Sequence, residues 1–187
     1  MKIRTFIAIN ISDPVRTEID TVITKLRQYG RDVKWVKKEN LHLTLKFLGD
    51  VAPSRIQTIE LNLQKIAAMY SPFSVTLRSV GGFPSLIRPK VLWIGAEDGG
   101  KLNELYSALD TELYKSGFAK EEKPFSAHLT IGRVRESGDL TKLTEKMTLL
   151  KTKDFGITTI SSMSLMKSDL LKSGPVYSVV EDFPLNG

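Results

Sequence analysis

Apolar positions along this chain fall into short runs that switch between a period of two and a period of about 3.6. Ile3–Asn10 is apolar and β-branched, the pattern of a strand. Ser12-Asp13-Pro14 reads as a helix start with a capping side chain and proline in the first turn. Val15, Ile19, Val22, Ile23 and Leu26 then recur at helical spacing until Tyr29-Gly30. Val33–Val36 is short and alternating, Lys37–Asn40 is a turn, and Leu41–Leu48 is a strand ended by Gly49-Asp50. Pro53-Ser54 opens a second helix with Ile56, Ile59, Leu63, Ile66 and Ala67 on one face, broken by Ser71-Pro72. Phe73–Val80 reads as a strand, Gly81-Gly82-Phe83-Pro84 as a loop, and Val91–Ala96, carrying Trp93, as another strand.

A third helix follows Gly99-Gly100, with Leu102, Leu105, Leu109 and Leu113 on one side and Lys115-Ser116-Gly117 as its stop. The charged loop Lys120–Pro124 feeds a strand over Phe125–Val134. A shorter helix is expected around Leu140–Leu150, then strands Phe155–Met166 and Val176–Phe183 around the turn Lys172-Ser173-Gly174-Pro175. Phe6 stands 36 positions before His42, and Trp93 stands 35 before His128. Each interval runs strand, helix, loop, strand. That repetition implies one domain over 1–187 built from two similar halves, roughly 1–85 and 86–187, packed about a pseudo-two-fold axis. The expected fold class is α+β: two similar lobes, antiparallel or mixed sheets lining a central cleft, helices outside.

Composition narrows the chemistry. The chain has 187 residues, 41% hydrophobic and 26% charged, an ordinary globular balance. It has no cysteine, which removes disulfides, thiolate nucleophiles and zinc–thiolate sites. The N-terminal apolar run is shorter than the core of a signal peptide, and no stretch approaches the ~20 apolar residues of a membrane span. The expected setting is cytoplasmic. A net charge of +6 suits a polyanionic partner, and it suits simple solubility as well.

The two strands 36 and 35 positions on share one text, His42-Leu43-Thr44-Leu45 and His128-Leu129-Thr130-Ile131, and these hold both histidines of the chain. With roughly one residue in twelve a threonine, both histidines meeting one two places on is under about a 1% accident. On a strand, residues i and i+2 share a face. Each motif therefore presents an imidazole beside a hydroxyl, with Leu43 and Leu129 turned to the core. Two imidazoles facing one cleft can divide acid and base duty, and the Thr44 and Thr130 hydroxyls can hold non-bridging phosphate oxygens. Those parts suit displacement at a phosphodiester without a metal. Two histidines with no clear third ligand make a poor zinc site. No Walker-type loop, no Gly-x-Ser-x-Gly elbow and no metal-spaced carboxylate cluster competes. The plainer alternative is that each histidine is a strand residue with a satisfied hydrogen bond.

The pattern resembles the two-histidine (2H) phosphoesterase superfamily, marked by a pair of His-x-Thr/Ser-x motifs, and within it the prokaryotic RNA 2′,3′-cyclic phosphodiesterases, also described as 2′-5′ RNA ligases. The resemblance runs through Arg4–Ile9, Val36–Gly49, Phe83-Pro84, Val91–Trp93, His128–Val134, and Ser168 with Gly174–Tyr177. It implies an ATP- and metal-independent enzyme, with no cofactor, that opens terminal 2′,3′-cyclic phosphates on RNA to a 2′-phosphate. It also implies reverse 2′-5′ ligation. By resemblance alone, His42 is the proton donor and His128 the acceptor; the residues themselves leave that assignment open. The expected partner is RNA with a cyclic phosphate end, tRNA halves included, bound by a monomer without a membrane.

Arg133 follows the second motif, and by resemblance it too would grip phosphate. Strict alternation turns it away from His128 unless a bulge at Gly132 re-aims it. Lys46 falls on the His42 face by the same parity. Trp35, Phe47 and Phe125 are aromatic enough to stack on a base, though aromatics beside strands are more often core. A non-catalytic RNA-binding module, or an enzyme for small cyclic nucleotides or 2′-5′ oligonucleotides, remains the alternative.

Overall fold

A computed structural model of the chain describes residues 2–135, 138–171 and 174–187, so Lys172 and Ser173 of the expected turn lie outside it. Its elements are β1 (Ile3–Asn10), α1 (Asp13–Leu26), β2 (Val33–Trp35), β3 (His42–Val51), α2 (Ile56–Ala67), β4 (Phe73–Phe83), β5 (Val91–Glu97), α3 (Lys101–Lys115), β6 (His128–Val134), α4 (Thr141–Thr148), β7 (Asp154–Ile160), β8 (Ser162–Leu171) and β9 (Gly174–Pro184). The strands form one antiparallel sheet, ordered β7-β4-β5-β6-β3-β1-β8-β9, with β2 beside β6. The order splits at the β6–β3 pair into four strands on either side, and α+β architecture with two matching lobes is the result. The central pair touches at a single register point, Leu43 opposite Leu129.

β7 is one end of that order and β8 is the next-to-last strand at the other, yet only Ser161 separates them. The sheet must therefore curl to bring β7 back toward β8. Phe155–Met166, which reads as one strand, is in fact two, and the turn at Ser161 carries the chain from one lobe to the other. Lobes and chain halves are thus different partitions: β4 joins β5 and β6, while β8 and β9 complete the lobe of β1 and β3.

Helices cover one face of the sheet. The buried stripes Val15, Ile19, Val22, Ile23 and Leu26 of α1, Ile59, Leu63 and Ile66 of α2, and Leu102, Leu105, Leu109 and Leu113 of α3 pack on the sheet residues Ile7, Ile9, Leu43, Leu129 and Ile131. Burial of such side chains is the main stabilising contribution. The other face lines the cleft and carries its own small cluster, Phe6, Ala8, Met166 and Tyr177. Ser12 makes no side-chain cap; its N–H donates instead to the Thr158 hydroxyl at 2.9 Å.

Two sequence expectations fail, each because an aromatic ring is placed by a tertiary contact. Gly81-Gly82-Phe83 continues β4 rather than forming a loop, because bare backbone is needed there. A Cβ on Gly81 would lie 2.1 Å from the Trp93 ring, which rests flat on it. The second motif strand starts at His128, not Phe125, since the Phe125 ring is taken up in a stack on Tyr106.

Candidate active site

The two motif strands have the same inside–outside sequence over seven positions. His42 and His128 are half-buried, Leu43 and Leu129 buried, Thr44 and Thr130 half-buried, as strand parity requires. Parity then breaks in both strands at the same place. Lys46 and Thr44 face the adjacent residues Ile7 and Ala8, leaving Leu45 as an extra residue; Gly132 and Thr130 face Leu92 and Trp93, leaving Ile131 extra. Each is a β-bulge, which shifts the following residues to the opposite face.

In β6 the bulge turns Gly132 inward and Arg133 outward onto the His128 face. A Cβ on Gly132 would come within 2.7 Å of Val33 and 3.2 Å of Trp35, so the inward position admits only glycine without displacement. In β3 the same shift moves Lys46 off the His42 face and into the core, 4% exposed and bonded to Asp110, so the parity expectation for Lys46 is overturned. Phe47 takes the place that Arg133 holds in the other strand. It is 61% exposed, with its ring 6.0 Å from Phe6.

Both imidazoles are held in one way. Nδ1–H of His42 donates to the Asn40 carbonyl at 2.7 Å, and Nδ1–H of His128 to the Ser126 carbonyl at 2.7 Å. A carbonyl only accepts, so its position assigns the Nδ1–H tautomer and leaves Nε2 for chemistry. Thr44 donates its hydroxyl to Nε2 of His42 at 3.0 Å.

The surroundings differ between the two. His42 sits among aromatic rings, Phe6 at 5.0 Å and Tyr177 at 5.4 Å. Burial lowers its pKa most; the Asn40 carbonyl opposes that, and the Arg16 charge lowers it further. His128 has the Phe83 ring edge-on at 5.1 Å. Burial raises the Tyr177 pKa against the pull of Arg133 and Arg4, which places the Arg133 charge near the aromatic wall of His42.

Of the candidate stackers, Trp35 is committed to structure, its Nε1–H on the Gly30 carbonyl at 3.2 Å. Phe125 lies parallel to Tyr106 at 4.4 Å. Phe47 alone of the three offers an open face. Nothing in the sequence marks Arg16, and Tyr177 stands there only as the end of a resembling segment, without a role at the site. Arg16 sits next to Val15 on α1 and looks like a solvated helix charge, and Tyr177 reaches His42 only because β9 returns to the first lobe. Among the described residues no three His, Asp or Glu side chains gather as a metal site.

The sequence profile of the LigT-like phosphoesterases matches the chain twice, over residues 9–93 and 94–177. The chain is 35% identical over 185 residues to the RNA 2′,3′-cyclic phosphodiesterase of Methanothermobacter thermautotrophicus, covering 99% of this chain and 100% of the other. It is 36% identical over 180 residues to the enzyme of the same name from Methanocaldococcus jannaschii, covering 96% and 99%. Among solved structures it is similar to a Thermus thermophilus protein, with TM-score 0.84, 28% identity and 98% of each chain covered. It shares the fold of E. coli LigT complexed with 3′-AMP, with TM-score 0.78, 23% identity and 100% of each chain covered.

Proposed function

The chain belongs to the LigT-like phosphoesterase family, and on that premise we propose that it hydrolyses the 2′,3′-cyclic phosphate end of RNA to a 2′-phosphomonoester, with His42 as proton donor and His128 as proton acceptor. The observation that carries this reading is the shared hold on the two imidazoles. Each is fixed through Nδ1 by the carbonyl two residues upstream, and the pair flanks the Leu43–Leu129 contact on the cleft face.

Nε2 of His128 takes a proton from water as the water oxygen bonds to phosphorus. The P–O3′ bond breaks, and Nε2 of His42 gives its proton to the departing 3′ oxygen. Thr44 and Thr130 donate to the non-bridging oxygens, and Arg133 supplies a guanidinium able to take two of them. Each turnover leaves His42 neutral and His128 protonated, and exchange with water resets both. A 5′-hydroxyl in place of water gives a 2′-5′ linkage through the same atoms, the ligation sense of the site.

Burial favours neutral His42 before substrate binds. The cyclic phosphate is an anion, and its charge beside the ring favours the imidazolium, so His42 takes up its proton with substrate. Phe47, at the rim, gives the terminal base an apolar face.

The test is a substrate panel in EDTA: an oligoribonucleotide with a 2′,3′-cyclic phosphate end, mononucleoside 2′,3′-cyclic phosphates, and a 2′-5′ linked dinucleotide. The expected result is preferred opening of the oligonucleotide end, with the product phosphate mapped to the 2′ position. Tight binding of the oligonucleotide with no turnover of any member would leave an RNA-binding module instead.

A further inference from the structure

Each motif strand also holds the segment that leads into the other motif. β2, which precedes His42, pairs with β6 at Val33–Trp35 and packs Val33 and Trp35 on Gly132. In return Ala119–Glu121, which precedes His128, is held by β3, and here one side chain replaces a strand ladder. The bulge at Leu45 sends Lys46 into the core, where Nζ donates to Asp110 Oδ1 at 2.5 Å and to the Ala119 carbonyl at 2.8 Å. Asp110 Oδ1 also accepts the Glu121 N–H at 3.2 Å.

From Glu121 the chain is exposed as far as Pro124. It is gripped again at Phe125, stacked on Tyr106 one helical turn from Asp110 at 4.4 Å and 10°. Ser126 follows, and its carbonyl holds Nδ1 of His128. Lys46 and Gly132 are the same position of the two motifs, each turned inward by its bulge to brace the approach to the opposite histidine. One brace is a close apolar contact; the other is a buried ion pair, both partners 4% exposed.

We propose that Lys46 is a positioning residue for His128: its pair with Asp110 fixes Ala119–Glu121 and thereby keeps the Ser126 carbonyl on the second imidazole. The role rests on the two-histidine reading above. Lys46 does not touch the cleft, so its loss acts on imidazole orientation and lowers kcat while KM holds. Small misplacements of a catalytic group cost on the order of 10- to 100-fold in rate.

Lys46→Met alone would strand the Asp110 carboxylate in the core, which is strongly destabilising. The test is therefore the double variant Lys46→Met/Asp110→Leu, in which both charges go and volume is kept, a change that is often neutral or stabilising. The expected result is a folded protein with kcat down about 10- to 100-fold, unchanged KM, and faster hydrogen exchange over residues 119–128 than in the wild type. In the wild type itself the Glu121 amide is expected to exchange slowly despite its exposed neighbours. A folded double variant with wild-type kcat would overturn the positioning role, and so would a wild-type Glu121 amide exchanging as fast as free chain. Absence of wild-type turnover would count against the proposed reaction, while the exchange measurement would still decide the brace.

Discussion

Leu43 and Leu129 stand opposite each other at the one register point where β3 meets β6, on the pseudo-two-fold of the sheet. The middle letters of the two motifs thus touch, and both are buried. Antiparallel pairing about that point runs the motifs in opposite directions, so each histidine is carried toward the threonine of the other motif. A site with one imidazole from each lobe follows from this contact. Two near-identical tetrapeptides, far apart in sequence, become one cleft.

The bulge after each motif is as important as the motif. Gly132→Ala is expected to destabilise the fold by about 1–3 kcal/mol, because the new methyl is driven against Val33 and Trp35. Chemical denaturation checks it. An unchanged midpoint would mean that β2 does not pack on the bulge.

Phe47 and Arg133 occupy one position in two motifs, and they are expected to fail differently. Phe47→Ala removes an exposed ring; it should leave stability unchanged and raise KM for a cyclic-phosphate oligonucleotide about tenfold, in line with about 1–3 kcal/mol per stacked base. Arg133→Gln removes a charge. Its KM penalty should appear also with mononucleoside cyclic phosphates and shrink with added salt, because it acts on the phosphate. Steady-state kinetics on both substrates, at two salt concentrations, separates the two effects.

His42 links stability and activity to pH. Its folded-state pKa lies below the ordinary 6.5, so between those values the unfolded chain binds more protons than the native one. The stability this contributes is fully present above about pH 6.5 and is lost as pH falls through the native value. His42→Asn should flatten that part of the stability curve. For catalysis the donor must be protonated, and kcat/KM reports the free enzyme while kcat reports the complex. The alkaline limb of kcat/KM is therefore expected at lower pH than the alkaline limb of kcat. Coincident limbs would mean that bound phosphate does not raise the His42 pKa.

The strands carrying both motifs, the helical stripes and the His/Thr faces were legible because strand and helix periods record which face is buried. Thr44 and Thr130 sit where period two puts them. Legibility ended at the bulges. Lys46 reads as a cleft residue by parity, and Arg133 as a residue facing away, since one extra residue reverses both and a bulge has no signature in apolar periodicity. Gly132 was the only hint, and the matching bulge at Leu45 has no glycine beside it. The split at Ser161 was hidden in the same way, inside an unbroken apolar run. Tyr177 meets His42, and the Arg16 charge acts on it, only through tertiary folding, which no local pattern contains.

The central claim, one imidazole from each motif acting as an acid–base pair, is tested most directly by His42→Ala and His128→Ala on a 2′,3′-cyclic-phosphate oligoribonucleotide, with melting curves taken alongside. Each variant is expected to stay folded, bind the oligonucleotide, and lose about 10²- to 10⁴-fold in kcat. Wild-type kcat in either folded variant would contradict the paired mechanism.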